Sequence, residues 1–187
     1  MAAGVNTITV KDGDGCTRSY SITITQPTAV DVTSSSVTHP TCNYSSDGSI
    51  TVGATGGTGT KQYSINGTQY FSSGTFTSLS VGSYTLYAKD ESNCVDTVSV
   101  TLSKSQVTAT ISSTNPLCNG GAGSIVVSSP TGGNGGTYQS KLNSGSYSNI
   151  GTSKTYSVSA GTHTITVKDG DGCTRSYSVT ITQPSAL

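Results

Sequence analysis

The chain has no tryptophan, one methionine and two phenylalanines, and only 10% of its residues are charged. So few large apolar side chains restrict any single core to a modest size. Nine basic and nine acidic residues give a formal net charge of zero. With no run of either sign, there is no electrostatic footprint for DNA, RNA or an anionic membrane, and no nucleic-acid partner is expected. No apolar run approaches the roughly eighteen residues of a transmembrane helix, so direct membrane insertion is not expected either. Met1-Ala2-Ala3-Gly4 lacks the charged and apolar regions of a signal peptide. An apolar period of 3.6 residues is nowhere sustained, which sets helices aside. What remains is glycine, serine, threonine and tyrosine, the chemistry of strands and turns.

The chain repeats itself. Gly4 to Ala29, GVNTITVKDGDGCTRSYSITITQPTA, returns almost letter for letter as Gly161 to Ala186, and in divergent form as Gly82 to Leu102. The cysteines of the three copies are spaced 94 − 16 = 78 and 173 − 94 = 79 residues apart. A period that long carries several strands and points to tandem domains rather than a solenoid. The expected organisation is a terminal hairpin of a preceding repeat over 1–27 and two complete repeats over 28–104 and 105–187. Beginning in mid-repeat, the chain reads as a segment of a longer array whose targeting signals lie elsewhere.

Within each repeat the residues alternate. Ile8 and Val10, then Tyr20, Ile22 and Ile24, form one face of a hairpin expected to be buried, opposite a solvated face of Thr7, Thr9, Ser21, Thr23 and Thr25. In the first complete repeat, strands are expected at 30–37, 49–54, 61–65, 69–72, 76–79, 83–89 and 95–102. Asn66-Gly67 predicts a type I′ hairpin turn, which needs positive φ at both central residues. The second repeat follows the same plan. Seven short strands with regular turns predict an all-β fold: tandem immunoglobulin-like β-sandwich repeats arranged head to tail. Tyr84 sits where sandwiches place a tyrosine corner, with His163 and Asn6 as structural substitutes in the other copies.

Five cysteines recur at two places in the repeat, Cys42 and Cys118 early, Cys16, Cys94 and Cys173 late. Without CxxC pairs or repeated histidines, they read as disulfides in an oxidising, extracellular compartment rather than as zinc ligands. Cys16 has no partner in sight. Two pairings stay open for the other four. Five strands between Cys42 and Cys94 place them at opposite ends of one sandwich, which favours an inter-repeat clamp from Cys42 to Cys173. Closure within a repeat, Cys42 to Cys94 and Cys118 to Cys173, would contribute about 4 kcal/mol in the chain-entropy model, and that size tips the expectation toward bonds within each repeat.

The pattern Cys42-Asn43, Asp47-Gly48-Ser49-Ile50-Thr51-Val52, Gly56-Gly57, Tyr63-Ser64, Leu79, Gly82-Ser83-Tyr84-Thr85 and Asn93-Cys94 resembles the SprB-type repeat of Bacteroidetes cell-surface proteins. It recurs in phase as Cys118-Asn119-Gly120, Gly123-Ser124-Ile125, Gly132-Gly133, Tyr138, Gly161 and Gly172-Cys173, without an Asp47 equivalent and with a longer glycine loop. The resemblance covers essentially the whole chain. It implies a large surface adhesin exported by type IX secretion, serving gliding motility or attachment, with no enzymatic activity. It also raises O-glycosylation at Asp96-Thr97-Val98.

No nucleophile sits with a positioned base, and no GxSxG elbow occurs, so catalysis is not expected. Asp12, Asp14, Asp169 and Asp171 in the DGDG turns resemble the start of a calcium loop, but a closing glutamate is missing and Asp-Gly is an ordinary turn. No cofactor is expected. The Thr-x-Thr series reads as a solvated sheet face, since a twisted sandwich lacks the flat array that ice binding needs. The expected partners are neighbouring repeats of the same polypeptide, with surface glycans or proteins as alternatives through Tyr44, Tyr70 and Tyr147. A further alternative is an assembly subunit completed at the edges of the hairpin Gly4 to Gln26.

Overall fold

The structure is a computed structural model that describes residues 2–186, with Ser34 and Ser35 described by their backbone alone. It is all-β. In chain order the strands are β1 (Gly4–Lys11), β2 (Thr17–Ile24), β3 (Asp31–Thr38), β4 (Gly48–Thr55), β5 (Gln62–Ser64), β6 (Thr75–Leu79), β7 (Gly82–Lys89) and β8 (Val95–Leu102). There follow β9 (Thr108–Thr114), β10 (Gly123–Thr131), β11 (Gln139–Leu142), β12 (Ser148–Asn149), β13 (Ser153–Val158), β14 (Gly161–Lys168) and β15 (Thr174–Ile181).

These strands form five sheets. β1 and β2 pair alone; span 28–104 contributes the sheets β3-β4-β6 and β5-β7-β8; span 105–187 contributes β13-β10-β9 and β12-β11-β14-β15. Splitting first, second and fifth strands from third, sixth and seventh is the immunoglobulin division. The fourth strand, β12, lies beside β11 rather than on the other sheet, where a constant-type domain would carry it. Its counterpart over 69–72 shrinks to a single bridge, Tyr63 to Phe71.

Alternation decides which residues are buried. β4 buries Ile50 and Val52, β7 buries Leu86 and Ala88, β10 buries Ile125 and Val127, and β14 buries Ile165 and Val167. One cluster joins Val107, Ile125, Val127, Ile150, Val158, Ile165, Val167 and Ile181 with both Cys42 and Cys173. By Cα packing the chain forms two compact units whose boundary cuts across β3, β4, β7 and β8. One comprises the chain up to Ser35 with Thr51–Gly74 and Thr85–Ser99; the other comprises Ser36–Ile50, Thr75–Tyr84 and Val100 onward.

The hairpin β1–β2 pairs in the same register as β14–β15: Gly4 faces Ile24 as Gly161 faces Ile181, each number raised by 157. Its burial differs. Ile8 is 43% and Val10 58% exposed, whereas the matching Ile165 and Val167 are fully buried. The expected buried face of Ile8, Val10, Tyr20 and Ile22 therefore faces solvent. Register is set locally by turn and pairing, while burial needs a facing sheet, which the described residues do not place over this hairpin.

Local details match the turn chemistry unevenly. Asn66 does not adopt positive φ, so Asn66-Gly67 is not type I′. Instead Asn66 Oδ1 accepts hydrogen bonds from the backbone N–H groups of Thr68 (2.9 Å) and Gln69 (3.0 Å) and from Ser64 Oγ (2.9 Å), holding the turn by side chain. The corner holds in all three copies. Tyr84 Oη donates to Ser80 O at 2.9 Å, His163 Nε2 to Ser159 O at 2.9 Å and Asn6 Nδ2 to Ala2 O at 3.0 Å, each reaching four residues back.

Candidate functional site

The site is built on two turns. The first is the Cys42 loop between β3 and β4, where Ser45 N–H donates to Cys42 O at 3.0 Å. Thr41 donates to Asp47 from both its backbone N–H and its hydroxyl. These bonds hold the Asp47 carboxyl below its ordinary range, the hydroxyl bond contributing most. The second is the turn between β14 and β15. There Asp169, only 1% exposed, accepts from the backbone N–H of Cys173 (2.8 Å) and Asp171 (3.1 Å) on Oδ1, and from Asn134 N–H (2.8 Å) on Oδ2.

Cys42 and Cys173 are bonded, with Cα atoms 5.5 Å apart across 131 residues of sequence. The junction carries further contacts. Asn134 Nδ2 donates to Thr41 O at 3.1 Å, and Thr174 N–H donates to Tyr44 Oη at 3.1 Å. Both half-cystines are buried, 7% and 2% exposed, and belong to the core cluster.

The expectation of bonds within each repeat is thereby corrected. Cys94 and Cys118, expected in those bonds, are exposed free thiols, as is Cys16. Strand parity explains why. β4, β5, the Phe71 segment, β6 and β7 intervene between Cys42 and Cys94, an odd number that carries the chain from one end of the strands to the other.

The aspartates of the DGDG turns divide by position. Asp12 and Asp169 direct Oδ1 at backbone N–H groups: Asp12 accepts from Asp14 (3.1 Å) and Cys16 (2.8 Å), as Asp169 does from Asp171 and Cys173. Asp14 and Asp171 are exposed and serve here only through their backbone N–H. Among the described residues no group of three or more His, Cys, Asp or Glu side chains is placed to hold a metal ion.

A residue the motif reading passed over is Asp90, 3% exposed. It accepts from the N–H of Cys94 and of Thr58, each at 2.8 Å. The Thr58 N–H is the largest influence holding its carboxyl below the ordinary range. The signal was available, because an aspartate stands four residues before the cysteine in every copy: Asp12, Asp90 and Asp169. The Gly-Gly pairs serve the same cradle. Gly57 and Gly133 have φ of 60° and 63°, and a Cβ there would lie 2.8 and 2.2 Å from Oδ2 of Asp90 and Asp169 respectively.

The three candidate sugar-stacking tyrosines are unequal. Lys89 Nζ lies 4.3 Å from the Tyr70 ring centre, and Lys141 and Lys168 lie 5.0 and 4.3 Å from that of Tyr147. These ammonium groups compete with a sugar for the ring faces. Burial pushes the Tyr147 phenol above its ordinary value, with Tyr44 adding to the effect. Tyr44 is 59% exposed, yet its hydroxyl is engaged at the junction. His39 Nδ1 accepts from Ser103 N–H at 3.2 Å, and His163 serves the corner. No protein-family model matches the chain, and no curated protein does so significantly.

Proposed function

We propose that this chain is a non-catalytic structural segment of a large bacterial surface adhesin, a stalk of repeats in the sense its SprB-type resemblance implies. The setting would be gliding motility or attachment. The observation that carries this reading is the Cys42–Cys173 bond, which joins the early cysteine of one sequence repeat to the late cysteine of the next. A crosslink of that kind restrains neighbouring repeats against separation, which is useful to a load-bearing element and irrelevant to a catalyst. A disulfide also fits an oxidising, extracellular environment. Supporting it, both histidines are engaged with backbone groups and Asp90 and Asp169 with backbone N–H groups, so the most chemically capable side chains hold turns.

A second reading, a carbohydrate- or protein-binding module, is favoured by the exposed ring of Tyr44. A third, an assembly subunit, is favoured by the open apolar face of β1–β2. The stalk reading predicts no binding on a glycan array at millimolar sugar, and a scattering profile that becomes more flexible when Cys42 and Cys173 are both replaced by alanine. Sugar binding lost on Tyr44→Ala, with scattering unchanged in the double variant, would move the assignment to the binding module.

A further inference from the structure

Asparagine followed by glycine occurs three times, at Asn66-Gly67, Asn119-Gly120 and Asn134-Gly135. In such a pair the glycine nitrogen can attack the asparagine side-chain carbonyl carbon and close a five-membered imide. Nucleophile and electrophile belong to adjacent residues, so the step is intramolecular, and glycine has no Cβ to obstruct the approach. All three asparagines are exposed, so access of water does not separate them. What separates them is how firmly the attacking nitrogen is held.

Gly67 N–H donates to the buried Ser64 hydroxyl at 2.9 Å, while Asn66 Oδ1 accepts from Thr68 and Gln69. Gly120 N–H donates to Gln183 Oε1 at 2.9 Å, and Asn119 Nδ2 to Pro184 O at 2.9 Å. Both pairs are held at the nitrogen and at the side chain. Gly135 N–H instead donates to Gly132 O at 3.4 Å, beyond the usual range for such a bond. In the run Gly132 to Gly136 only Asn134 carries a side chain, and Gly135 and Gly136 have φ of 72° and 76°. A Cβ at Gly135 would meet nothing within 4 Å. Gly170 N–H donates to Gly135 O at 3.0 Å, which anchors the following peptide plane and not the one that carries the attacking nitrogen. Asn134 is fixed from its other side, by its N–H on Asp169 Oδ2 (2.8 Å) and its Nδ2 on Thr41 O (3.1 Å). The electrophile is therefore held at the disulfide junction while the nucleophile is the part left to move.

We propose that Asn134-Gly135 is a self-modification site, the first of the three pairs to deamidate, and that its conversion loosens the Cys42 side of the junction. Gly135 N bonds to Asn134 Cγ, the Cγ–Nδ2 bond breaks, and Nδ2 leaves as ammonia with the proton given up by Gly135 N. Water then opens the imide, at the side-chain carbonyl to give aspartate or at the main-chain carbonyl to give isoaspartate. No oxidant or reductant takes part. Either product lacks the Nδ2 donor that Thr41 O now accepts from, and places a second negative charge on the residue whose N–H holds the buried Asp169 carboxylate. The isoaspartate product also adds a main-chain carbon to the loop that carries Gly133, whose Cα lies against Asp169 too closely to admit a Cβ.

The test is incubation of the full oxidised chain at neutral pH and physiological temperature, with peptide mapping by mass spectrometry and chromatographic separation of aspartyl from isoaspartyl peptides. Asn134 is expected to convert several-fold faster than Asn66 or Asn119. Gln183→Ala, at an exposed position, frees the Gly120 N–H and should raise the Asn119 rate toward that of Asn134. Ser64→Ala should do the same at Asn66. Asn134→Asp supplies the aspartate product at once, and its Cys42–Cys173 bond should be reduced by dithiothreitol several-fold faster than that of the parent, with Asn119→Asp unchanged. Conversion of Asn66 or Asn119 as fast as that of Asn134, or an Asn119 rate indifferent to Gln183→Ala, would overturn the assignment of the site. Equal reduction rates for Asn134→Asp and the parent would overturn its link to the junction.

Discussion

Replacing Cys42 and Cys173 together by alanine tests the clamp as a source of stability. The bond spans 131 residues. In the chain-entropy model, closing a loop of that length destabilises the fully unfolded chain by about 5 kcal/mol. If span 105–187 unfolds while Cys42 stays anchored, the loop runs from the end of β8 at Leu102 to Cys173, 173 − 102 = 71 residues, and the figure is about 4.4 kcal/mol. The two estimates differ little because the cost grows only with the logarithm of length. With a urea m-value of about 1.5 kcal/mol/M, suited to a domain this small, 4.4 kcal/mol is a midpoint shift of about 3 M. Both half-cystines are buried in the cluster with Val107 and Ile125, so the lost sulfur packing adds to the effect. The assay is urea unfolding of the oxidised chain beside the double variant, with Cys16→Ser/Cys94→Ser/Cys118→Ser as control. The control removes only exposed thiols and should stay within about 0.5 kcal/mol of the parent. Coincident midpoints for parent and double variant, with the bond confirmed by peptide mapping in the parent, would refute the reasoning.

The repeated hairpin supplies its own comparison: Ile165→Ala should cost about 2 to 5 kcal/mol by chemical denaturation, and Ile8→Ala, in the same sequence but exposed, no more than about 0.5 kcal/mol. Asp169→Ala leaves the N–H groups of Cys173 and Asn134 without their acceptor and is expected to cost roughly 2 to 4 kcal/mol, while Asp12→Ala at the exposed copy should barely move the melting temperature. Asp47, Asp90, Glu91 and Asp96 all have carboxyls held below their ordinary values, chiefly by Thr41, Thr58, Thr60 and Val32 respectively. Groups with lowered folded values add stability above the unfolded value and lose it as pH falls through the folded one. The unfolding midpoint should therefore be flat above about pH 5 and fall below about pH 4; a midpoint that rises on acidification would contradict those hydrogen bonds.

The strands were legible because alternation is a property of neighbours in sequence. Val95–Leu102 was read to the residue, and most other edges moved by one or two positions. What escaped depended on distant partners. Asn66-Gly67 carries the residues of a type I′ turn, yet the Ser64 hydroxyl and the Asn66 amide impose another geometry. Asp90 stands outside the two DGDG turns, and what marks it is its spacing of four residues to Cys94, shared by Asp12 with Cys16 and Asp169 with Cys173. The disulfide shows how one physical argument can mislead when applied to one alternative only. Loop entropy gives the 52-residue closure from Cys42 to Cys94 about 4 kcal/mol, but the same logarithm gives the 131-residue closure slightly more. Strand parity, which needs only a correct count of β4 to β7, carried the pairing.

The position of the bond has a mechanical consequence. Force applied at the two ends of the chain passes through Cys42–Cys173, so the 131 residues it encloses are short-circuited. Fully extended, they would represent about 440 Å of contour length, at roughly 3.4 Å per residue. While the bond is closed, pulling on the ends loads β3 against β4 and β15 against β14, and only the chain outside residues 42–173 can lengthen. Reduction would release that length, making thiol chemistry the control on how far the segment stretches.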